Sequence, residues 1–206
     1  MLQLRKHAKH IIHAITPALL MLLRIFFDRR YLSGVYFKGD LRGLIWSFRS
    51  VWVRHILRLA PPLPFPAAST VTVTNWRNLH FYPEDINNFQ SQGAYFQCSH
   101  ARITLGKGVH IAPNVGLITA NHDFNNLRAH TLGSDILIGD ECWIGMNAVI
   151  LPGVVLGPRT IVGAGAVVTK SFPEGDCLLT GSPATVKKRL SSASNNLNNE
   201  GDQSCC

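Results

Sequence analysis

His122, in the run Asn121-His122-Asp123, and His130 stand in a polar stretch that interrupts an otherwise regular chain. A neutral imidazole, with an unperturbed pKa of about 6.5, is the side chain best suited to take a proton from a hydroxyl near neutral pH. His122 is therefore the candidate general base. His130 is the second choice for that role, or a contact for the acceptor, and Asn121 and Asp123 join it as candidate substrate-binding residues. The plainer reading of His122 is a hydrogen bond that caps its loop. Metal binding is another use for such side chains, but His110, His122 and His130 are 12 and 8 residues apart, and His100 precedes His110 by 10. Those spacings argue against a zinc site, and no metal is expected.

The regular chain is a repeat. From Ile138 to Val168 an aliphatic residue returns every six positions, at Ile138, Ile144, Ile150, Leu156, Val162 and Val168. Glycine follows at Gly139, Gly145, Gly157 and Gly163, and the fourth place after each aliphatic holds Cys142, Ala148, Val154, Thr160 or Ala166. A period of six fits neither the 3.6 of a helix nor the alternation of a strand, and short fixed periods mark stacked coils such as the parallel β-helix. Three hexapeptides close one triangular coil, with the aliphatic and small residues inside and glycine easing the corner. Coils stacked at roughly 4.8 Å leave an open edge at both ends, which must be capped. Upstream, Leu105, Ile111 and Leu117 keep the frame, with Val109 and Val115 in fourth place. Leu117 and Ile138 are 21 residues apart, not a multiple of six, so an insertion leaves the coil between about Ala120 and Asp135. It carries His122. Between Asn75 and Arg102 the frame is loose, which predicts irregular first coils, with residues 93–97 lining a site and Gln97 as a candidate substrate contact.

The frame, the steps Trp143-Ile144-Gly145 and Gly163-Ala164-Gly165, then Thr169-Lys170 and Gly181-Ser182-Pro183-Ala184, resemble the hexapeptide-repeat acyltransferases over roughly residues 93–190. The resemblance implies a mainly β fold, a left-handed parallel β-helix, assembled as a homotrimer, with acetyl-coenzyme A (acetyl-CoA) as acyl donor and co-substrate and no metal. The left hand comes from the resemblance alone, because ordinary parallel crossovers are right-handed. In the family a histidine on a loop leaving the helix acts as general base, and His122 matches it. Coenzyme A carries phosphates, for which Thr169, Lys170 and Lys188 supply donors and cations. By motif position Trp143 flanks the pantetheine or the acceptor, Gly145 and Met146 turn backbone N–H groups toward the thioester, and Ala164 leaves room for the arm. Met146 is bulkier than the residue relatives often carry there, so only its amide is carried over. This stretch lies across a subunit boundary from the histidine in the family.

The chain of 206 residues is 46% hydrophobic and 16% charged, a globular composition. Its net charge of +8 is lopsided, since residues 1–60 hold eleven Lys or Arg against Asp28 and Asp40, and the remainder nine against ten. A basic run at 5–10 precedes an apolar stretch at 11–27, which falls short of the about 20 residues of a spanning helix and lacks a secretory cleavage site. Farther on, Leu41, Leu44, Ile45, Phe48, Val51, Trp52, Ile56 and Leu59 share one helical face, with Arg42, Arg49, Arg54 and Arg58 away from its centre. Basic amphipathic helices of this kind lie among anionic headgroups. The alternatives are helices packed on the protein or within the trimer and, for 11–27, a true span; no nucleic-acid module accompanies the charge. The Pro-rich run 61–66 reads as a stiff linker and 70–74 as the first strand. The expected division is a basic amphipathic helical segment and linker at 1–66, an acyltransferase repeat domain at 67–190 closed by a strand at 177–180, and a disordered Ser- and Asn-rich tail at 191–206. Five cysteines without a paired framework, Cys142 among the inward residues, suggest reduced thiols and a cytoplasmic protein, peripheral at the inner face of the membrane. Cys205-Cys206 is read as incidental rather than a lipidation signal.

These readings converge on acetyl transfer from acetyl-CoA to the hydroxyl of a sugar, with a lipid-linked or nucleotide-linked saccharide acceptor in surface-polysaccharide assembly. An antibiotic or other small xenobiotic is the alternative acceptor. A non-catalytic β-helix scaffold is the alternative class, and a zinc carbonic anhydrase on the same fold is disfavoured by the histidine spacing.

Overall fold

All six aliphatic residues of the 138–168 frame point inward and none is more than 1% exposed; the same holds for Cys142, Ala148, Val154, Thr160 and Ala166. The computed structural model that shows this describes residues 15–38 and 41–190. The basic run 5–10, the start of the apolar stretch, the tail 191–206 and Cys205-Cys206 lie outside the described residues.

Three parallel sheets form the walls of a prism. The first face stacks Thr72–Val73, Tyr95–Gln97, Gly116–Ile118, Val149–Ile150 and Val167–Val168. The second stacks Leu79–His80, Ile103–Leu105, Ile136–Ile138 and Val155–Leu156, and a bridge from Leu156 to Phe172 continues it. The third stacks His110–Ile111, Trp143–Ile144, Thr160–Val162 and Cys177–Thr180, with the antiparallel strand Thr185–Arg189 added at its end. In-register pairing puts like residues over like: Leu105 beside Ile138 beside Leu156, and Ile111 beside Ile144 beside Val162. This is the parallel β-helix that a period of six requires, with one hexapeptide per wall.

The glycines work differently from the sequence reading. The corner residue in left-handed conformation is the third after each aliphatic, not the first: Asn114, Glu141, Asn147 and Arg159 have φ of 52 to 60°, and Gly153 and Gly165 take the same place. The glycine directly after the aliphatic sits instead where stacked coils touch. A Cβ on Gly145 would lie 2.7 Å from the Ala164 nitrogen, and one on Gly157 would lie 2.2 Å from the Pro173 carbonyl oxygen. Backbone on backbone leaves no room for a side chain there.

Both ends are closed. At the start of the helix the rings of Tyr31, Phe65, Phe81, Phe89 and Phe96 pack at centroid distances of 4.5 to 5.3 Å over the first coil. The third face lacks a strand in that coil, and the fully buried Asn88 substitutes for it. Its carboxamide accepts from the Ile111 N–H (2.7 Å) and donates to the Val109 carbonyl (2.8 Å). The loose frame before Arg102 thus hides regular rungs at 79–80 and 95–97, terminated by the helical turns of Pro83–Gln90.

Two expectations for the N-terminal part change. The Pro-rich run is no free linker, because Leu63, Phe65 and Pro66 are buried against the first coil. Arg54 does not flank an apolar face toward solvent; it is 1% exposed, with Nε donating to the Ala67 carbonyl (3.2 Å), Nη1 to Pro61 (2.7 Å) and Nη2 to Ala68 and Val71. Burial pulls its pKa down to about 10, still charged at neutral pH. The helix Arg42–Ser50 and the π-helical turn Val51–Ile56 that follows bury Leu44 and Val51 beside Leu23, Phe27, Leu32 and Phe37. Ile45, Phe48, Trp52, Ile56 and Leu59 remain exposed, as do Met21, Leu22 and Ile25 on or just after the helical residues 15–23. The expected single apolar face is therefore split, one edge against protein and the other facing outward. No helix among the described residues is long and apolar enough to cross a membrane.

Candidate functional site

The insertion emerges at the edge between the first and second faces as a hairpin, His122–Asp123 paired antiparallel with Asn126–His130. Its sequence explains the shape. Asp123 Oδ1 accepts from the Asn125 N–H (2.8 Å), which tightens the turn, and Asn121 and Thr131 close the base through 2.8 Å and 3.1 Å bonds to the Asn121 carbonyl. Gln97, an expected substrate contact, has its carboxamide engaged at the root: Oε1 accepts from the Thr119 and Ala120 N–H groups (2.9 and 3.0 Å) and Nε2 donates to the Ala120 carbonyl (3.1 Å). It positions the insertion.

His122 Nδ1 lies 2.8 Å from the Leu127 carbonyl oxygen. A carbonyl only accepts, so Nδ1 carries the proton and Nε2 presents its lone pair. His122 also faces His130 across the hairpin, ring centroids 4.3 Å apart, and His130 stacks on His100 of the coil below at 5.0 Å. The chain returning from the insertion is pressed on His100, since a Cβ on Gly133 would lie 2.6 Å from the His100 carbonyl carbon and oxygen. His100 was not singled out from sequence as part of this cluster. Its place one coil below the insertion on the same edge is the signal that finds it, and that needs the coil assignment first. Among the described residues no group of three or more His, Cys, Asp or Glu side chains is arranged to hold a metal.

The expected donor-site residues fall into two groups on different edges. Trp143 is exposed on the third face, and Met146 and Ala164 follow it round the edge to the first face, joined by the Gly165 N–H to Met146 carbonyl bond (2.8 Å). The Gly145 N–H does not point outward as expected; it donates to the Val162 carbonyl of the next coil at 2.8 Å. Coil stacking consumes that amide, whereas the Met146 N–H has no acceptor among the described residues. Thr169 and Lys170 are exposed on the edge that carries the insertion, two coils farther along. Lys188 is on the terminal strand, in register with Leu178, which pairs with Ile161, which pairs with Trp143. At about 4.8 Å per strand, roughly 14 Å separates Lys188 from Trp143 along one wall.

Residues 135–170 match the bacterial transferase hexapeptide family, six repeats. That stretch coincides with the six-residue frame that runs from Ile138 to Val168. Several acetyltransferases, some named provisionally, are similar to the chain at the sequence level. A Schizosaccharomyces pombe protein named provisionally as an acetyltransferase is 44% identical over 93 residues, 44% of each chain. A Dictyostelium discoideum protein named in the same provisional way is 40% identical over 59% of this chain and 63% of its own. The galactoside O-acetyltransferase of Escherichia coli K12 is 37% identical over 43% of this chain and 44% of its own. The chain thus spans about half the length of the relatives it matches.

Proposed function

We propose that the protein transfers an acetyl group from acetyl-CoA to a hydroxyl of a sugar, with His122 as general base. The observation that carries this reading is the fixed tautomer of His122, held by the Leu127 carbonyl with Nε2 left as a proton acceptor on an exposed hairpin. A hydroxyl attacking a thioester must lose its proton as the new C–O bond forms, and a neutral imidazole in hydrogen-bond reach takes it. The Met146 amide is then a donor for the oxyanion, Trp143 and Ala164 flank the acyl arm, and Thr169, Lys170 and Lys188 meet the phosphates of coenzyme A. Asn121, Asp123 and His130 stay as acceptor contacts. The similarity to a galactoside O-acetyltransferase supports a sugar as the acceptor class.

The same reading includes a homotrimer. Within one chain His122 and the Trp143 group occupy different edges of the prism, so a complete site needs the neighbouring copy to bring its third face to this hairpin. Phe124 and Leu132, 91% and 95% exposed on the insertion, are large apolar side chains that such a neighbour would cover. The outward apolar residues of the N-terminal helices, beside the exposed Arg24, Arg29, Arg42 and Arg49, support peripheral binding to an anionic membrane, and with it a role in surface-polysaccharide assembly. Incubation of the full chain with radiolabelled acetyl-CoA and a panel of saccharides tests the activity. Label should appear as an alkali-labile ester on a sugar; label on an antibiotic, with none on any saccharide, would replace the acceptor class.

A further inference from the structure

Below the imidazole cluster, at the N-terminal end of the prism, a cavity of about 240 Å³ is lined by Arg30, Tyr31, Trp76, Arg77, His80 and Phe81. Its chemistry is that of an anion site with a ring-binding wall. The Arg77 guanidinium lies 4.6 Å from the Trp76 ring centroid, and Arg30 lies 4.6 Å from that of Tyr31. These stacked positions hold both cations in place while leaving N–H groups for a ligand. No carboxylate among the described residues pairs with Arg77; Asp28 pairs with Arg30 Nε at 3.1 Å, which leaves the terminal nitrogens of Arg30. Tyr31 is held by stacking on Phe81 at 5.0 Å, so this wall belongs to the packed end cap.

Its position gives the cavity a use. Trp76 and Arg77 turn the edge between the first and second faces in the first coil, His100 turns the same edge in the next, and the insertion leaves it in the third. Two coils at about 4.8 Å put Arg77 roughly 10 Å below the hairpin root, with the His100 and His130 rings between. Thr169 and Lys170 are two coils on the far side of the insertion, so a donor phosphate held there is roughly 19 Å from this cavity. We propose that the cavity is an anion subsite for the acceptor. It binds the phosphate or diphosphate of a phosphorylated saccharide, while the sugar extends past His100 to offer its hydroxyl to His122. This rests on the acetyl-transfer reading for the sugar's fate, but the binding itself does not depend on it.

Calorimetry on the full chain, without acetyl-CoA, tests the subsite with galactose and galactose 1-phosphate as probes. The phosphate should tighten binding by roughly tenfold or more, as expected for charge-assisted hydrogen bonds. Arg77→Gln, at an exposed side chain and so without effect on the thermal midpoint, should abolish that gap, and His122→Ala should leave it intact. Equal affinity for the two sugars, a gap that survives in Arg77→Gln, or displacement of galactose 1-phosphate by coenzyme A would overturn the proposal. A gap present in a protein that acetylates no saccharide would instead sink only the activity. A second arm uses neutral phosphatidylcholine vesicles carrying a polyprenyl diphosphate sugar. Arg77-dependent retention on them assigns a lipid-linked acceptor, and binding of the soluble phosphate alone assigns a free sugar phosphate.

Discussion

The Leu127 carbonyl decides what His122 is able to do, because it fixes the proton on Nδ1 at 2.8 Å and leaves Nε2 basic. His122→Ala should lower the chemical step by roughly 10²- to 10⁴-fold with coenzyme A affinity nearly unchanged, since the proposed donor contacts are made by other side chains. Lys188→Ala should behave in the opposite way. A phosphate contact far from the thioester stabilises ground and transition states alike, so its loss raises the donor Michaelis constant and spares the maximal rate. Steady-state kinetics on both variants separates the roles. If His122→Ala kept more than about a tenth of turnover, the base would have to be reassigned, and His130, whose ring is 4.3 Å away, would be the next candidate. The buried thiols of Cys98 and Cys142 take no part in this chemistry, because burial pushes both upward in pKa and keeps them protonated.

The N-terminal helices dock through a titratable side chain. His55 makes edge contacts with Phe26 (5.3 Å) and Phe27 (5.4 Å), and its Nε2 is buried with no partner among the described residues. Burial, then the charges of Arg54 and Arg58, lower its pKa below 6.5, so the folded protein holds it neutral. Below pH 6.5 the unfolded chain therefore binds the proton more readily, and stability is lost as pH falls until the folded-state pKa is passed. Thermal midpoints of wild type and His55→Phe should diverge between pH 7 and 5, with the wild type falling faster. A constant difference over that range would remove His55 as the cause. Arg54 anchors the same element differently, by tying four carbonyls from Pro61 to Val71 to one guanidinium, so helix, Pro-rich run and first coil are held together by a buried cation.

For the molecule as a whole, the proposed base and the proposed Trp143 group lie on different edges of one prism, so the proposed mechanism requires assembly for activity. Light scattering should give a trimer at micromolar concentration. Mixing inactive His122→Ala with a variant defective in the Trp143 group should restore part of the activity, because one of the mixed interfaces keeps both elements. A fully active monomer would contradict the arrangement. Sedimentation with vesicles tests the outward apolar edge at Met21, Ile25, Trp52 and Ile56. Binding to anionic vesicles should weaken with salt, and Trp52→Ser with Ile56→Ser should reduce it without unfolding the β-helix.

The sequence by itself determined the prism. A six-residue period is a one-dimensional signal that survives any tertiary context, so Ile138 through Val168 could be placed inside, the insertion located by the failure of 21 to divide by six, and His122 placed on it. The inward Cys142 followed from the same frame, and the closing strand at Cys177–Thr180 was legible after that frame ends. What depends on contacts between distant positions was decided only by the folded chain. The glycine after each aliphatic is required by the next coil's backbone, while the corner itself falls two residues later. The Gly145 amide is taken by Val162, Gln97 by the root of the insertion, and Arg54 by carbonyls up to 17 residues away. His100 joins His130 because stacking brings positions 30 residues apart to 5.0 Å. Hydrogen-bond partners and ring contacts across coils leave no periodic trace in the sequence, because each needs only one suitable atom opposite. The burial of a repeated aliphatic must recur at every turn, and so it can be read.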